Sequence, residues 1–248
     1  MSATSNATGR TGTAGRVRVL LALDGPVAAT MLTVFQYFVV SISFIGCLVP
    51  VVAFTALVGW QPTHLALWLG VLSLLPLVPA GYALLRSSRR LLADRADAQG
   101  GRLYWRSFVV GCRTLWWAAA GASAVALLLA YDLALFGDSD AMLLFVAAGA
   151  AVAVMLLIAV CVVAAAGVAA GVARRPIETL SVAARAVARR PHIGLAWLLI
   201  IALGLIGAGL PIIGSAFALF LPALLGAAIH ICNDALCLPL TDETRRTP

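Results

Sequence analysis

AMLLFVAAGAAVAVMLLIAVCVVAAAGVAAGVA, residues Ala141 to Ala173, runs for 33 residues without a charge or a proline. As a helix rising 1.5 Å per residue it would be about 50 Å long, whereas the hydrocarbon core of a bilayer is about 30 Å thick. The stretch therefore reads as a membrane-spanning helix that must tilt, break or extend beyond the lipid, and its inner end is expected to protrude. Working outward, five further apolar runs are long enough to cross. They lie at about Thr33 to Trp60, Leu65 to Leu85, Thr114 to Phe136, Ile193 to Leu210 and Ile212 to Ile231. Gly46 and Pro50 mark a kink or packing point in the first run, and Pro76 and Pro79 fall inside the second. Gly137 to Asp140 and the Pro211–Gly214 region make tight polar or turn-forming connections. The fold class implied is all-α: a polytopic membrane helix bundle of about six transmembrane helices.

Composition agrees. Of 248 residues 62% are hydrophobic and 11% charged, against about 45–50% and about 25% in a soluble domain, and the mean hydropathy is +1.03. The formal charge of +7 does not point to nucleic acid, because all 17 basic residues are Arg placed in short segments between apolar runs. Residues 1–18 are rich in Ser, Thr, Gly and Ala and read as a disordered cytoplasmic tail. Residues 19–240 form the six-helix transmembrane domain and 241–248 a short cytoplasmic tail. A cleaved leader is disfavoured, since Asp24, Gly25 and Pro26 interrupt the only early apolar stretch.

The Arg positions orient the chain. Arg10, Arg16 and Arg18 precede the first run, seven Arg from Arg86 to Arg113 separate the second and third, five from Arg174 to Arg190 separate the fourth and fifth, and Arg245 and Arg246 follow the sixth. The connections near Gln61–His64, Gly137–Asp140 and Leu210–Gly214 contain none. Because positive charge is retained on the cytoplasmic side during insertion, both termini and both basic loops are expected in the cytoplasm.

Those loops are themselves patterned. Trp105, Phe108, Val109, Cys112 and Leu115 recur at helical spacing, with Arg102, Arg106 and Arg113 off that stripe; Ile177, Leu180, Ala184 and Val187 form a second stripe, with Glu178, Arg185 and Arg189 outside it. Two amphipathic cytoplasmic interfacial helices follow, with the apolar faces in lipid or packed under the bundle and Arg at anionic headgroups. Lipid contact or self-association is the preferred reading over docking of a partner protein.

Candidates for chemistry are few, as a charge at mid-bilayer costs about 2.5–3.5 kcal/mol on insertion scales. Asp132 beside Tyr131 near the end of the third run is either polar glue or a functional site, or else an interfacial carboxylate. Asp234 beside Asn233 reads as interfacial. His230 has only Asp234 at helical spacing, which is no metal site. Gln36 and Tyr37 are read as interhelical hydrogen-bonding groups. The six Trp residues fit an aromatic belt, and Gly167-x-x-x-Gly171 a close-packing face. Cys47, Cys112, Cys161, Cys232 and Cys237 contain no C-x-x-C and read as small packing residues. No nucleotide-binding, nucleophile-elbow or metalloprotease motif occurs, so no catalytic residue, cofactor or metal is expected.

Leu48-Val49-Pro50-Val51-Val52, Tyr104-Trp105-Arg106-Ser107-Phe108, Tyr131-Asp132-Leu133 and Arg174-Arg175-Pro176 together resemble the YesL-like family of bacterial membrane proteins, over roughly residues 30–240. The resemblance implies a bacterial cell membrane location and a non-enzymatic role accessory to carbohydrate uptake of the ABC type, with permease subunits or a second copy as partners. An independent small-solute transporter is the alternative.

Overall fold

The computed structural model describes residues 26–61, 63–94, 99–136, 139–169, 175–211 and 214–235; almost all are helical, and none is in a strand. The tails 1–18 and 241–248, Gly171, Arg174 and Cys237 lie outside the described residues. In chain order the helices are α1 (Pro26–Leu57), α2 (His64–Leu74), α3 (Leu77–Asp94), α4 (Gly100–Thr114), α5 (Trp116–Phe136), α6 (Asp140–Ala169), α7 (Pro176–Arg189), α8 (Pro191–Ala208) and α9 (Gly214–Ala235). Six stretches are long and apolar enough to cross a membrane: Thr30–Leu57, His64–Ala93, Trp116–Phe136, Asp140–Val168, Pro191–Ala208 and Gly214–Asp234. The protein is a multi-pass helical membrane protein.

The second span departs from a single rod. Pro76 separates α2 from α3, because neither Pro76 nor Pro79 has an N–H to donate one turn back. The Leu75 N–H closes a tighter turn onto the Leu72 carbonyl at 3.2 Å, and the helix restarts with the Ala80 N–H on the Pro76 carbonyl at 3.0 Å. Pro79 then sits in the first turn of α3, where N–H groups have no intrahelical partner in any case. The helix also continues past Leu85 to Asp94, so Arg86, Arg89 and Arg90 ride on a helix rather than in a loop. Pro50, by contrast, lies inside an uninterrupted α1.

Cross-links between helices define two ends. The Gly100 N–H at the start of α4 donates to Gln36 Oε1 of α1 at 2.7 Å, and Trp197 near the start of α8 bonds Asn233 near the end of α9. The opposite end is tied by His64 at the start of α2 and Tyr131 near the end of α5, 2.7 Å apart. Every described Arg belongs to the first of these, the basic end. The buried core is weighted toward it as well. In α6 the buried residues gather between Ala159 and Gly167, in the last third of the helix, where α3, α7 and α8 pack around it. This long helix is thus wrapped by protein at the basic end as far as Ala169, and residues 170–173 of the expected protrusion lie outside the described residues.

Candidate functional site at the basic end of the bundle

Pro222 stands inside α9, where it breaks the regular ladder of backbone hydrogen bonds. The missing N–H frees the Ala218 carbonyl one turn back, and close to the proline two serines from neighbouring helices bond backbone groups of α9. Ser41 Oγ of α1 accepts from the Ala223 N–H at 3.1 Å and donates to the Phe220 carbonyl at 3.2 Å. Ser88 Oγ of α3 donates to the Ala223 carbonyl at 3.4 Å. Ser41 and Ser88 are fully buried. One turn on, a Cβ at Gly226 would collide with Ser88, so glycine is what lets α3 come this close.

Below this junction the polar groups continue toward the basic end. His230 is 8% exposed, and its Nε2 lies 2.7 Å from the Leu85 carbonyl of α3. A carbonyl only accepts, so Nε2 carries the proton. Trp197 Nε1 donates to Asn233 Oδ1 at 3.0 Å; because indole is a donor only, this contact fixes the amide orientation and turns Nδ2 the other way. Asn233 Nδ2, Ser87 Oγ and Ser107 Oγ are buried with no partner among the described residues. Such groups are uncommon in folded chains, and here they fall on α3, α4 and α9. Tyr104 of α4 is completely buried and donates to Cys47 Sγ at 3.5 Å. Burial raises its phenol above the ordinary value, helped by its contact with Cys47.

The amphipathic helices are present, and their stripes divide between the two expected surroundings, with Leu115 buried, Phe108 and Val187 half-buried and the other stripe residues exposed. In α4 the buried residues are Gly100, Tyr104, Ser107 and Gly111, while Trp105 and Val109 are each 50% exposed and Cys112 is exposed too. In α7 the buried pair is Thr179 and Ala183, and Ile177 is 81% exposed with Leu180 and Ala184 beside it. Small residues allow close approach: a Cβ on Gly111 would lie 3.2 Å from the Pro79 Cα and 3.0 Å from the Tyr82 ring. Each helix therefore has three faces, one packed on the bundle, one apolar and exposed, and one charged. In α7 they lie roughly 120° apart at about 100° per residue. Arg102, Arg106, Arg113, Arg185 and Arg189 are all exposed. Arg185 is steadied by Ser181, whose carbonyl and hydroxyl accept from it at 3.2 and 3.3 Å.

The remaining sequence candidates are scattered. Tyr131 bonds His64, while Asp132 is half-buried and shows no hydrogen bond among the described residues. Asp234 is exposed and 36 residues in sequence separate Trp197 from its neighbour Asn233. Asp132 and Asp234 are at opposite ends and form no common site. Trp60, Trp68, Trp105 and Trp116 are exposed as an aromatic belt requires, but Trp197 is 3% exposed and serves as a hydrogen-bond donor inside the protein. Among the described residues no three His, Cys, Asp or Glu side chains gather to hold a metal, and Cys47, Cys112, Cys161 and Cys232 are free thiols. His230, Asn233, Ser41 and Ser88 are the functional candidates that local spacing did not reveal. Comparison with known proteins gives no match to a protein-family model, a curated protein or a solved structure.

Proposed function

We propose that this is a non-enzymatic membrane protein that works through its basic end as an accessory or regulatory subunit of a transporter, with both termini in the cytoplasm of a bacterial cell. One observation carries the reading: α4 and α7, on separate connections, each present an exposed apolar face beside an Arg face at the same end of the bundle. Such faces suit a membrane interface or the cytoplasmic side of another membrane protein. Carbohydrate uptake of the ABC type is the system implied by the YesL-like resemblance. The test is a photoreactive residue at Trp105 or Ile177, with Leu144 near the other end of α6 as control. Cross-linking to a permease subunit from the first two positions and not the third is expected; lipid adducts alone at all three sink the accessory role. Topology is tested separately, by a reporter active only outside the membrane. It is expected to be silent after Arg185 or Pro248 and active near Ser139, and the reverse pattern overturns the orientation.

The second reading, an independent small-solute transporter, is favoured by the Pro222 junction, since interrupted helices near a polar seam are where transporters hold substrate. Uptake of candidate sugars that is unchanged on deletion of this protein alone argues against it.

A further inference from the structure

In its N-terminal half, α1 meets different surroundings on its two sides. One side packs on α4: a Cβ on Gly101 would collide with Val39, and one on Gly100 would press on Gln36 and Val40. At about 100° per residue, Val27, Met31, Val34 and Phe38 run along the roughly opposite side. They border an open groove of about 710 Å³, flanked by Thr30 and Phe35, which α9 reaches only at Phe220. There the Phe38 and Phe220 rings lie 5.6 Å apart. The same stripe then continues into Ser41, fully buried against α9. One continuous face is thus packed on protein at Phe38 and Ser41 and exposed at Val27, Met31, Val34 and Phe35, with Met31 70% and Phe35 57% accessible.

The spacing along this face is specific. Val27, Met31, Val34, Phe38 and Ser41 are separated by 4, 3, 4 and 3 residues, the a/d repeat by which two helices wind around each other. Thr30 and Phe35 then take g and e positions beside the seam, so the groove is lined by the kinds of position that form holes for a partner's side chains. Two copies inserted the same way into one membrane, related by a two-fold axis along its normal, set α1 parallel to its mate with each stripe residue opposite itself. Lipid competes for the groove. In a membrane, however, hydrophobicity favours neither occupant, and packing and lipid entropy decide. An acyl chain gives up freedom on filling a concave surface, whereas a helix arrives ordered. A second copy also brings the matching repeat at the matching depth, which an unrelated helix does not. We propose that a second copy of this chain docks in the groove, the N-terminal halves of α1 forming a parallel, two-fold symmetric pair. The pairing is independent of the transporter reading, because α4 lies against the other side of α1.

Single cysteines test it, since a symmetric pair places identical a or d residues face to face, within reach of the Cα separation of about 4.4–6.8 Å that a disulfide spans. In membranes under mild oxidation, Met31→Cys and Val34→Cys are expected to give covalent dimers above the background of the parent chain's native cysteines. Mass spectrometry of the linked peptides is expected to join position 31 to 31 and position 34 to 34. Leu32→Cys is the control: Leu32 is exposed one residue on, about 100° round the helix, and is expected to stay monomeric. Equal yields at all three positions, or none at the two stripe positions, overturn the pairing and leave the groove to lipid. A bridge from position 31 to a different protein overturns the second copy as occupant. A further measurement needs no new cysteine. Parent chains carrying donor and acceptor fluorophores are expected to keep their energy transfer in vesicles as excess lipid is added, and transfer that falls in step with dilution overturns the pair.

Discussion

The span ending in α3 and the span formed by α5 are equally hydrophobic, yet they sit in different surroundings. Over its most apolar window the first is 44% buried within the protein and the second 6%. α3 contributes Val78, Ala80, Tyr82, Ala83, Ser87, Ser88 and Leu91 to the interior, whereas α5 buries only Ala118 and Ala119 in its first turn. Lipid is as apolar as leucine, so hydrophobicity does not draw one helix onto another in a membrane. Close approach and hydrogen bonding do, and α3 has both: the hydroxyl that reaches α9 and the face that receives Gly111. Leucine-rich α5 packs along α6 and α2, touches α3 and α4 more briefly, and leaves most of its surface to lipid.

The comparison is broken most severely by crowding the tight side. Gly111→Ala is expected to destabilise by about 1–3 kcal/mol, the usual range for overpacking, because the new methyl meets the Pro79 backbone as well as the Tyr82 ring. Gly121→Ala on α5 meets nothing within 4 Å and is expected to be neutral or to gain up to about 1 kcal/mol of helix propensity. Thermal unfolding in one detergent reads both, and equal losses at the two positions would remove the distinction between the spans.

Serines sharpen it next. Ser41→Ala strips two partners from the Pro222 junction, whereas Ser43→Ala removes only a local bond to the Val39 carbonyl at 2.9 Å. About 1 kcal/mol is expected for Ser41 and almost none for Ser43. Amide hydrogen exchange at Ala223 should accelerate in the first variant alone, and an unchanged rate there means that Ser41 does not hold the junction.

His230→Phe keeps the ring and loses the proton donated to Leu85. Interhelical hydrogen bonds in membranes average about 0.6 kcal/mol, so a small drop in the unfolding midpoint is expected; a collapse of the fold would give His230 a larger part than one bond allows.

The smallest effect belongs to the far end. Asp132 is half-buried near the end of α5, with no hydrogen bond among the described residues, so Asp132→Leu is expected to leave the midpoint unchanged or raise it. A fall of more than about 1 kcal/mol would place the carboxylate in the bundle's polar network after all.

The number of spans was legible because run length against bilayer thickness needs no knowledge of contacts. The break at Pro76 was not, because Pro50 offers the same local signal and leaves its helix unbroken. The stripes of α4 and α7 were legible, but which of their two expected surroundings each residue takes was not: Trp105 and Ile177 face out and Leu115 faces in, while Gly111 and Thr179, which also pack inward, carry no hydrophobic signal. His230 was visible in the sequence but unreadable: its partner carbonyl is 145 residues away, and no helical spacing points to it. Asp132 drew notice by its charge alone, which announces a cost rather than a role.

Ser41 and Ser88 precede Pro222 in the chain by 181 and 134 positions, and this order bears on how the protein is made. The ribosome delivers the first and second spans long before the sixth. When Pro222 enters the membrane, the hydroxyls that bind the backbone beside it are already in place on α1 and α3. Closure of the bundle is therefore a final stitch, made by the oldest part of the chain on the newest. A nascent protein halted before Gly214 would hold Ser41 and Ser88 with nothing to bind on α9.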